Sequence, residues 1–312
     1  MALNHLRIVT RKSPLALWQA NHVRDLLVHL HPDMQVELIP VKTTGDRVID
    51  RPLAAIGGKG LFVKELEQCL LEGTADLAVH SMKDMLAELP GGMSIPVVLE
   101  RADPRDAFIS AQHDSIRSLP EGACVGTSSL RRQAQIHALR PDLVVNPLRG
   151  NVGTRLQKLD NGEFDAIILA VSGLLRLGME SRIREYIPEE TILPAIGQGA
   201  IGIETCIDNT AVIESILPLH DQSTGIQMQA ERAFSKCLYG DCQLPIAACS
   251  VLDGDQLKLD GLVASLDGKS VLRDTIRGHS SMAESLGQEL ADKLLLNGAD
   301  RILREIRHEP QY

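Results

Sequence analysis

Four times before residue 156, an apolar run of strand length ends in basic and hydroxyl side chains and then gives way to a helical pattern. The junctions are Thr10-Arg11-Lys12-Ser13, His80-Ser81-Met82-Lys83-Asp84, Gly126-Thr127-Ser128-Ser129-Leu130-Arg131-Arg132, and Leu148-Arg149-Gly150-Asn151 with Arg155. Strands alternating with helices leave few options: an α/β fold whose strands pair mostly in parallel. In such sheets the strand C-termini face the ligand crevice. Helix N-termini there present unpaired N–H groups to anions. Arg, Lys and Ser at four such ends therefore point to a ligand carrying several carboxylates or phosphates.

The periodicity gives two units of this kind. In the first, Leu6–Thr10 reads as a strand, and Ser13 as N-cap with Pro14 at the first helical position opens a helix to about His31. Val36–Val41 is a second strand. The glycine-rich stretch 43–60 reads as a mobile loop, followed by a helix with Phe62, Leu66 and Leu70 on one face and by a strand over Asp76–His80. The second unit begins near Arg101. It has strands at Ala123–Thr127, Leu143–Leu148 and Ala166–Val171, the last apolar enough for burial on both faces. Helices fill Ser129–Leu139 and Val152–Asp160. Residues 197–203 read as a strand crossing back to the first unit. After a helix over Thr224–Leu238 the pattern changes: Asp253-Gly254 and Asp267-Gly268 signal hairpins, and a last amphipathic helix spans Met282–Leu296. That tail is a small α+β domain with an antiparallel sheet. The boundaries expected are 1–99 plus 200–217, 100–199, and 218–312.

Composition narrows the function. A formal net charge of −9 argues against a general nucleic-acid or acidic-membrane binder, and 3% aromatic residues against base-stacking platforms. An anion site must then be a local concentration of arginines. Met1–Val9 lacks the apolar core of a signal peptide, and no apolar run approaches the ~20 residues of a membrane span. The expectation is a cytosolic protein whose six cysteines are thiols. None forms a C-x-x-C pair, so no metal site is expected.

Arg11, Arg131, Arg132, Arg149, Arg155 and Arg176 are the candidate anion clamps, because the planar guanidinium fork binds a carboxylate through two parallel hydrogen bonds. Any one of them alone reads more readily as a solvated surface arginine; the clustering with Ser13, Ser81 and Ser129 is what favours binding. Lys59, in Gly57-Gly58-Lys59-Gly60, lacks the spacing of a nucleotide loop and reads as a lid cation. Asp84 has two readings, an ion pair with Lys83 or an arginine, and a carboxylate that stabilises developing positive charge on a substrate. Cys242, in a loop between the helix and the first strand of the tail, reads either as an idle thiol or as a nucleophile or attachment point.

In order along the chain, Arg7–Ala20, Gly57–Phe62, Ala78–Asp84, Asp103–Phe108, Gly126–Gln133, Leu148–Val152 with Thr154-Arg155-Leu156, Pro194–Gly199 and Cys242-Gln243-Leu244-Pro245 closely resemble porphobilinogen deaminases, also called hydroxymethylbilane synthases. The resemblance covers essentially the whole chain. It implies a transferase that condenses four porphobilinogen molecules head to tail, with loss of ammonia, to hydroxymethylbilane. It implies a dipyrromethane cofactor held by a thioether, which by motif match is to Cys242. Asp84 would contact pyrrole N–H groups and stabilise the cationic methylene intermediate. Lys83, Ser129, Arg131, Arg132, Arg149 and Arg155 would bind the cofactor, and Arg11, Ser13, Arg176 and Lys59 the substrate. The implied fold is two periplasmic-binding-protein-like βαβ domains, with the active site between them, and a small third domain. Porphobilinogen would be the only partner, and the chain a monomer. Two departures stand out. Asp241 replaces the usual glycine before the cysteine, and an adjacent carboxylate disfavours the thiolate, so slower cofactor loading is expected. Met85-Leu86 replaces an aliphatic residue and proline after Asp84. The rival reading, a non-catalytic two-domain anion binder, needs neither Cys242 nor Asp84.

Overall fold

A computed structural model describes residues 4–47, 60, 62–238 and 244–308. The chain divides into two compact units, Met1–Arg101 with Ala200–Gly225 and Ala102–Gly199 with Ile226–Tyr312. The strands of the first hundred residues are β1 (His5–Arg11), β2 (Gln35–Val41), β3 (Leu77–Ser81) and β4 (Met93–Val98). Next come β5 (Asp106–Ser110), β6 (Cys124–Gly126), β7 (Val144–Asn146), β8 (Ala166–Ala170) and β9 (Glu185–Ile187). They are followed by β10 (Ile201–Cys206), β11 (Ile246–Asp253), β12 (Gln256–Ala264) and β13 (Val271–His279). The early helices are α1 (Pro14–Leu30), α2 (Thr44–Arg47), α3 (Lys64–Leu71), α4 (Leu130–Leu139), α5 (Val152–Asp160) and α6 (Val171–Arg176). Later ones are α7 (Thr210–Ile216), α8 (Gln222–Cys237), α9 (Ala283–Leu294) and α10 (Asp300–His308).

The first unit holds a five-stranded sheet in the order β2-β1-β3-β10-β4. β1 pairs in parallel with β2 and β3, whereas β10 pairs antiparallel with both β3 and β4. The mostly parallel sheet expected from sequence is therefore a mixed one. The reason is β10, which returns from the far end of the second unit and enters head-to-tail rather than through a crossover helix. Alternation along β1 sends Leu6 and Ile8 to one face, against Ala20, Val23 and Leu27 of α1, and Val9 to the other, against Leu66 and Leu70 of α3. Fully burying side chains such as Val23 and Leu27 contributes roughly 1.5–3 kcal/mol each.

The second unit repeats the plan, in the order β7-β6-β8-β5-β9. β6 is parallel to β7 and β8, and β5 is antiparallel to β8 and β9. β8 is central and buried on both faces, as its sequence predicts: Ile168 joins Phe108 and Val125 on one side, Ile167 and Leu169 join Ala107 and Ile109 on the other. The same unit carries the antiparallel sheet β11-β12-β13, with turns at Gly254 (φ 58°) and Gly268 (φ 70°) where the Asp-Gly pairs lie. Phe234 of α8 and Leu290 of α9 pack on Leu259 and Val263. Ala134 of α4 packs against Leu262 and Ala264. The final helix is shorter than its periodicity suggests. The chain kinks at Gly298 (φ 105°) and resumes as α10, whose inner residues Ile302, Leu303 and Ile306 extend the same core. α10 was not anticipated, and neither were β4, β5 and β9.

Candidate functional site

Because β1, β2 and β3 are parallel, Arg11, Val41 and Ser81 end on one edge of the first sheet. Ser13 caps α1 there, its Oγ accepting from the Ala16 N–H at 3.3 Å, with Pro14 following at the first helical position. After Ser81 the chain makes a single 3-10 turn, Met82–Asp84. Two hydrogen bonds fix it: the Met82 N–H donates to the Ala200 carbonyl at 3.0 Å and the Met85 N–H to the Met82 carbonyl at 3.1 Å. Arg11, Ser13, Phe62, His80, Ser81 and Asp84 then line one cavity. Three of the sequence candidates, Arg11, Ser13 and Asp84, thus share one cavity. Lys83, between Met82 and Asp84, is half-buried in the same turn.

Three supporting contacts were not read from the sequence. Buried Gln19 donates to Ser81 Oγ at 2.8 Å, locking the end of β3 to α1. His80 Nε2 lies 2.9 Å from Glu204 Oε2, a pair with side chains 4% and 0% exposed. Glu67 of α3 is a second buried acid nearby; burial and the Glu204 charge push its carboxyl up, His80 and Lys64 only partly countering them. Arg11 itself is engaged. Its Nε donates to Asp46 Oδ2 at 3.2 Å and its Nη2 to Oδ1, while the guanidinium lies 4.2 Å from the centre of the Phe62 ring. Burial raises the Asp46 pKa, but the Arg11 hydrogen bond and charge outweigh it and hold the group below the ordinary carboxylate range.

In the second unit β6, β7 and β8 end together in the same way. Ser129 caps α4, accepting from the Arg132 N–H at 3.4 Å, and Asn151 caps α5, accepting from the Thr154 N–H at 2.9 Å. Ser128 Oγ donates to the Leu148 carbonyl at 2.9 Å and ties the two loops together. Gly150 (φ 114°) permits the turn that puts Arg149 and Arg155 beside these caps, with Arg155 Nε donating to the Gly150 carbonyl at 2.7 Å. Arg176, at the end of α6, donates from Nη2 to the Gly199 carbonyl at 2.7 Å. Burial lowers its pKa to about 10, so it remains a cation at neutral pH, held in an environment that disfavours the charge.

Arg131 and Arg132 are buried, 4% and 6% exposed, around Asp106, which is fully buried. Arg132 Nη2 donates to Asp106 Oδ1 at 2.7 Å, and Arg131 Nη2 forms an ion pair with Oδ2 at 2.8 Å. Gln198 Nε2 donates to the same Oδ1 at 2.8 Å. The remaining guanidinium contacts are to backbone: Arg131 Nη1 to Leu193 O at 2.7 Å and Arg132 Nη1 to Ile168 O at 2.9 Å. Burial opposes the Asp106 charge, yet the two arginines drive its pKa far below the carboxylate range. For Arg131 burial is the largest effect and lowers its pKa in spite of Asp106. The cluster holds two guanidinium charges against one carboxylate, and both Nε atoms are buried with no acceptor among the described residues.

Lys59 and Cys242, with Asp241, lie outside the described residues. In α8, buried Glu231 accepts from the Gly197 N–H at 2.8 Å and from the Ser250 N–H of β11 at 2.9 Å. The backbone is thereby anchored one residue before Gln198, which donates to Asp106. Sequence reasoning missed Asp106, Gln198, Asp46 and Glu204. Asp106 and Gln198 lie in the segments Asp103–Phe108 and Pro194–Gly199 that carry the family resemblance, whereas Asp46 and Glu204 had no signal.

The description "Porphobilinogen deaminase, dipyromethane cofactor binding domain" matches residues 6–214, and "Porphobilinogen deaminase, C-terminal domain" matches residues 226–296. Among solved structures the chain is similar to the periplasmic aliphatic sulphonate binding protein SsuA from Escherichia coli. There the identity is 13%, with 99% of this chain and 80% of that one covered, and the TM-score is 0.42. An ABC transporter periplasmic substrate-binding protein from Coxiella burnetii gives 11% identity, 70% and 92% coverage and a TM-score of 0.45. At these scores the fold class rests on the strand order itself. No helix among the described residues is long and apolar enough to cross a membrane.

Proposed function

This chain belongs to the porphobilinogen deaminase family, and we propose that Asp84 carries the charge of the reaction while the arginines carry the carboxylates. It is a transferase of tetrapyrrole biosynthesis, a hydroxymethylbilane synthase with a dipyrromethane cofactor and porphobilinogen as substrate. When bound, the dipyrromethane supplies the pyrrole α-carbon to which the first substrate is joined.

The observation that carries the reading is the cavity shared by Arg11, Ser13 and Asp84. Porphobilinogen brings an acetate and a propionate. Arg11 and Ser13 take a carboxylate by charge-assisted hydrogen bonds, and Asp84 accepts from the pyrrole N–H. The aminomethyl group reacts as its ammonium form: the C–N bond breaks, and its electron pair leaves with nitrogen as ammonia. The methylene carbon becomes cationic, and the ring nitrogen shares that charge. The Asp84 carboxylate stabilises it without reorganisation, because the 3-10 turn already fixes its position. The new C–C bond forms as the acceptor α-carbon gives up its proton. Arg176 and Lys59 hold further carboxylates of the substrate, and Lys83, Ser129, Arg149 and Arg155 those of the cofactor.

The cofactor fits the second unit on the orphaned donors described above. Arg131 and Arg132 carry one positive charge in excess of Asp106 with both Nε atoms unsatisfied. A dipyrromethane carboxylate near this cluster would offset that charge. Cys242 is the attachment point, and Asp241 beside it slows loading, so Asp241→Gly loads faster than the parent. Three domains, 1–99 plus 200–217, 100–199 and 218–312, a monomeric state and a cytosolic location complete the proposal. The net charge of −9 supports the lack of a nucleic-acid partner.

The deciding experiment is the intact mass of the purified protein beside Cys242→Ala. A mass excess of two linked pyrrole units in the parent alone is the expected result. A parent that stays unmodified after addition of porphobilinogen would overturn the assignment of Cys242.

A further inference from the structure

Residues 43–46 cross over Arg11 and are fastened on three sides. The Thr44 N–H and Oγ1 both donate to Glu65 Oε1 of α3, at 2.7 and 2.6 Å. Gly45 packs so closely on the Phe62 ring that a Cβ there has no room. Asp46 takes the Arg11 fork through both oxygens and accepts from Thr43 Oγ1 at 2.8 Å. The two side chains of the pair are 22% and 20% exposed. Two parallel N–H···O bonds with the guanidinium stacked on a ring is how arginine recognises a carboxylate ligand.

We propose that Asp46 is an internal competitor for the carboxylate site at Arg11, and that it sets the selectivity of the cavity for ligands with more than one carboxylate. The inference rests on the reading of Arg11 as a substrate ligand. The fork that would grip the substrate is already filled by a chemically equivalent group. Binding through Arg11 is thus an exchange of one carboxylate for another, with little net gain at that contact. Asp46 is tethered, at an effective concentration on the order of millimolar or above, so a free monocarboxylate at comparable concentration does not displace it. A dicarboxylate does, because its second group gains contacts elsewhere in the cavity that Asp46 cannot make. Asp46 opposes the substrate and also releases Arg11 only to a ligand of the right valence.

Two readouts test this: the porphobilinogen KM of the cofactor-loaded parent, Asp46→Asn and Asp46→Glu, and competitive inhibition of each by propionate. Asp46→Asn should lower KM by about tenfold with kcat retained, and should make propionate a competitive inhibitor. Asp46→Glu, which keeps a competing carboxylate, should stay near the parent on both. The KM ratio should persist at high salt, where fields beyond a few ångströms are screened. A KM that rises in Asp46→Asn means that Asp46 orients Arg11 for substrate, and overturns the proposal. So does an unchanged KM, and so does a ratio that collapses at high salt, since that is long-range repulsion rather than exchange. Arg11→Ala separates the two levels: if its KM does not rise, it is the assignment of Arg11 to substrate that fails.

Discussion

Asp84 and Asp106 are the same side chain put to opposite uses. Asp84 ends a short turn, in a cavity with two hydroxyls and an arginine engaged by Asp46, and the proposed function gives its charge to the substrate. Asp84→Glu should keep measurable activity and Asp84→Asn almost none, because the amide preserves size and removes charge; equal kcat for Asn and parent would remove the electrostatic role. Asp106 is spent inside the protein. It compensates one of two buried arginines, and cutting such a pair costs roughly 3–5 kcal/mol. Asp106→Asn should therefore lower the chemical-denaturation midpoint strongly at neutral pH. The pH dependence follows from the direction of the shift. The folded-state pKa of Asp106 is depressed, so between it and the unfolded value the unfolded chain binds more protons and stability rises with pH. The contribution is complete above about pH 4 and is lost only as pH falls through the lower folded pKa. Denaturation curves should show a constant gap between parent and Asp106→Asn from neutrality down to about pH 4, closing in stronger acid.

At the scale of elements, three of the hydroxyl and amide residues in the candidate clusters are helix caps. Ser13, Ser129 and Asn151 each accept a backbone N–H with a side-chain oxygen. A serine hydroxyl that accepts in this way keeps its proton as a donor, so Ser129 can cap α4 and donate to a carboxylate together. The two roles separate by mutation. Ser129→Ala should cost about 1 kcal/mol of stability. Ser129→Asp should melt near the parent, since aspartate also caps, yet carry less dipyrromethane by intact mass, because its charge repels the ligand's carboxylates. Loading equal to the parent in Ser129→Asp would leave Ser129 a cap alone. In the C-terminal part of the chain, Gly287 lets α9 approach the backbone of α8 at Ala230, where a Cβ has no room. Gly287→Ala should destabilise by roughly 1–3 kcal/mol, read as a lower thermal midpoint with the mass excess retained.

For the whole molecule, an acidic chain of net charge −9 concentrates cations where the strands end. Any anion that binds there only in the folded state raises stability by linkage. Cys242→Ala should accordingly melt below the loaded parent. Sulfate should raise the midpoint of that variant more than the parent's; an equal rise in both would mean that the buried arginines do not seek an anion. Much of this was legible in the amino-acid order, because it depends on contacts a few residues apart. Ser13-Pro14 opens α1, Asn161 closes α5, Asp-Gly pairs turn the hairpins, and the alternation of apolar runs yields both α/β sheets. The long motifs identify the family. The tertiary structure alone decided which groups neutralise the basic residues. Asp106 reaches Arg131 and Arg132 because β5 runs antiparallel to β8 and so delivers its first residue to the edge where β6 and β8 end. His80 meets Glu204 across 124 residues only because β10 runs back beside β3. Asp46 meets Arg11 only because residues 43–46 fold over the end of β1. Strand direction and return connections are set by packing over the whole sheet, and no local pattern encodes them.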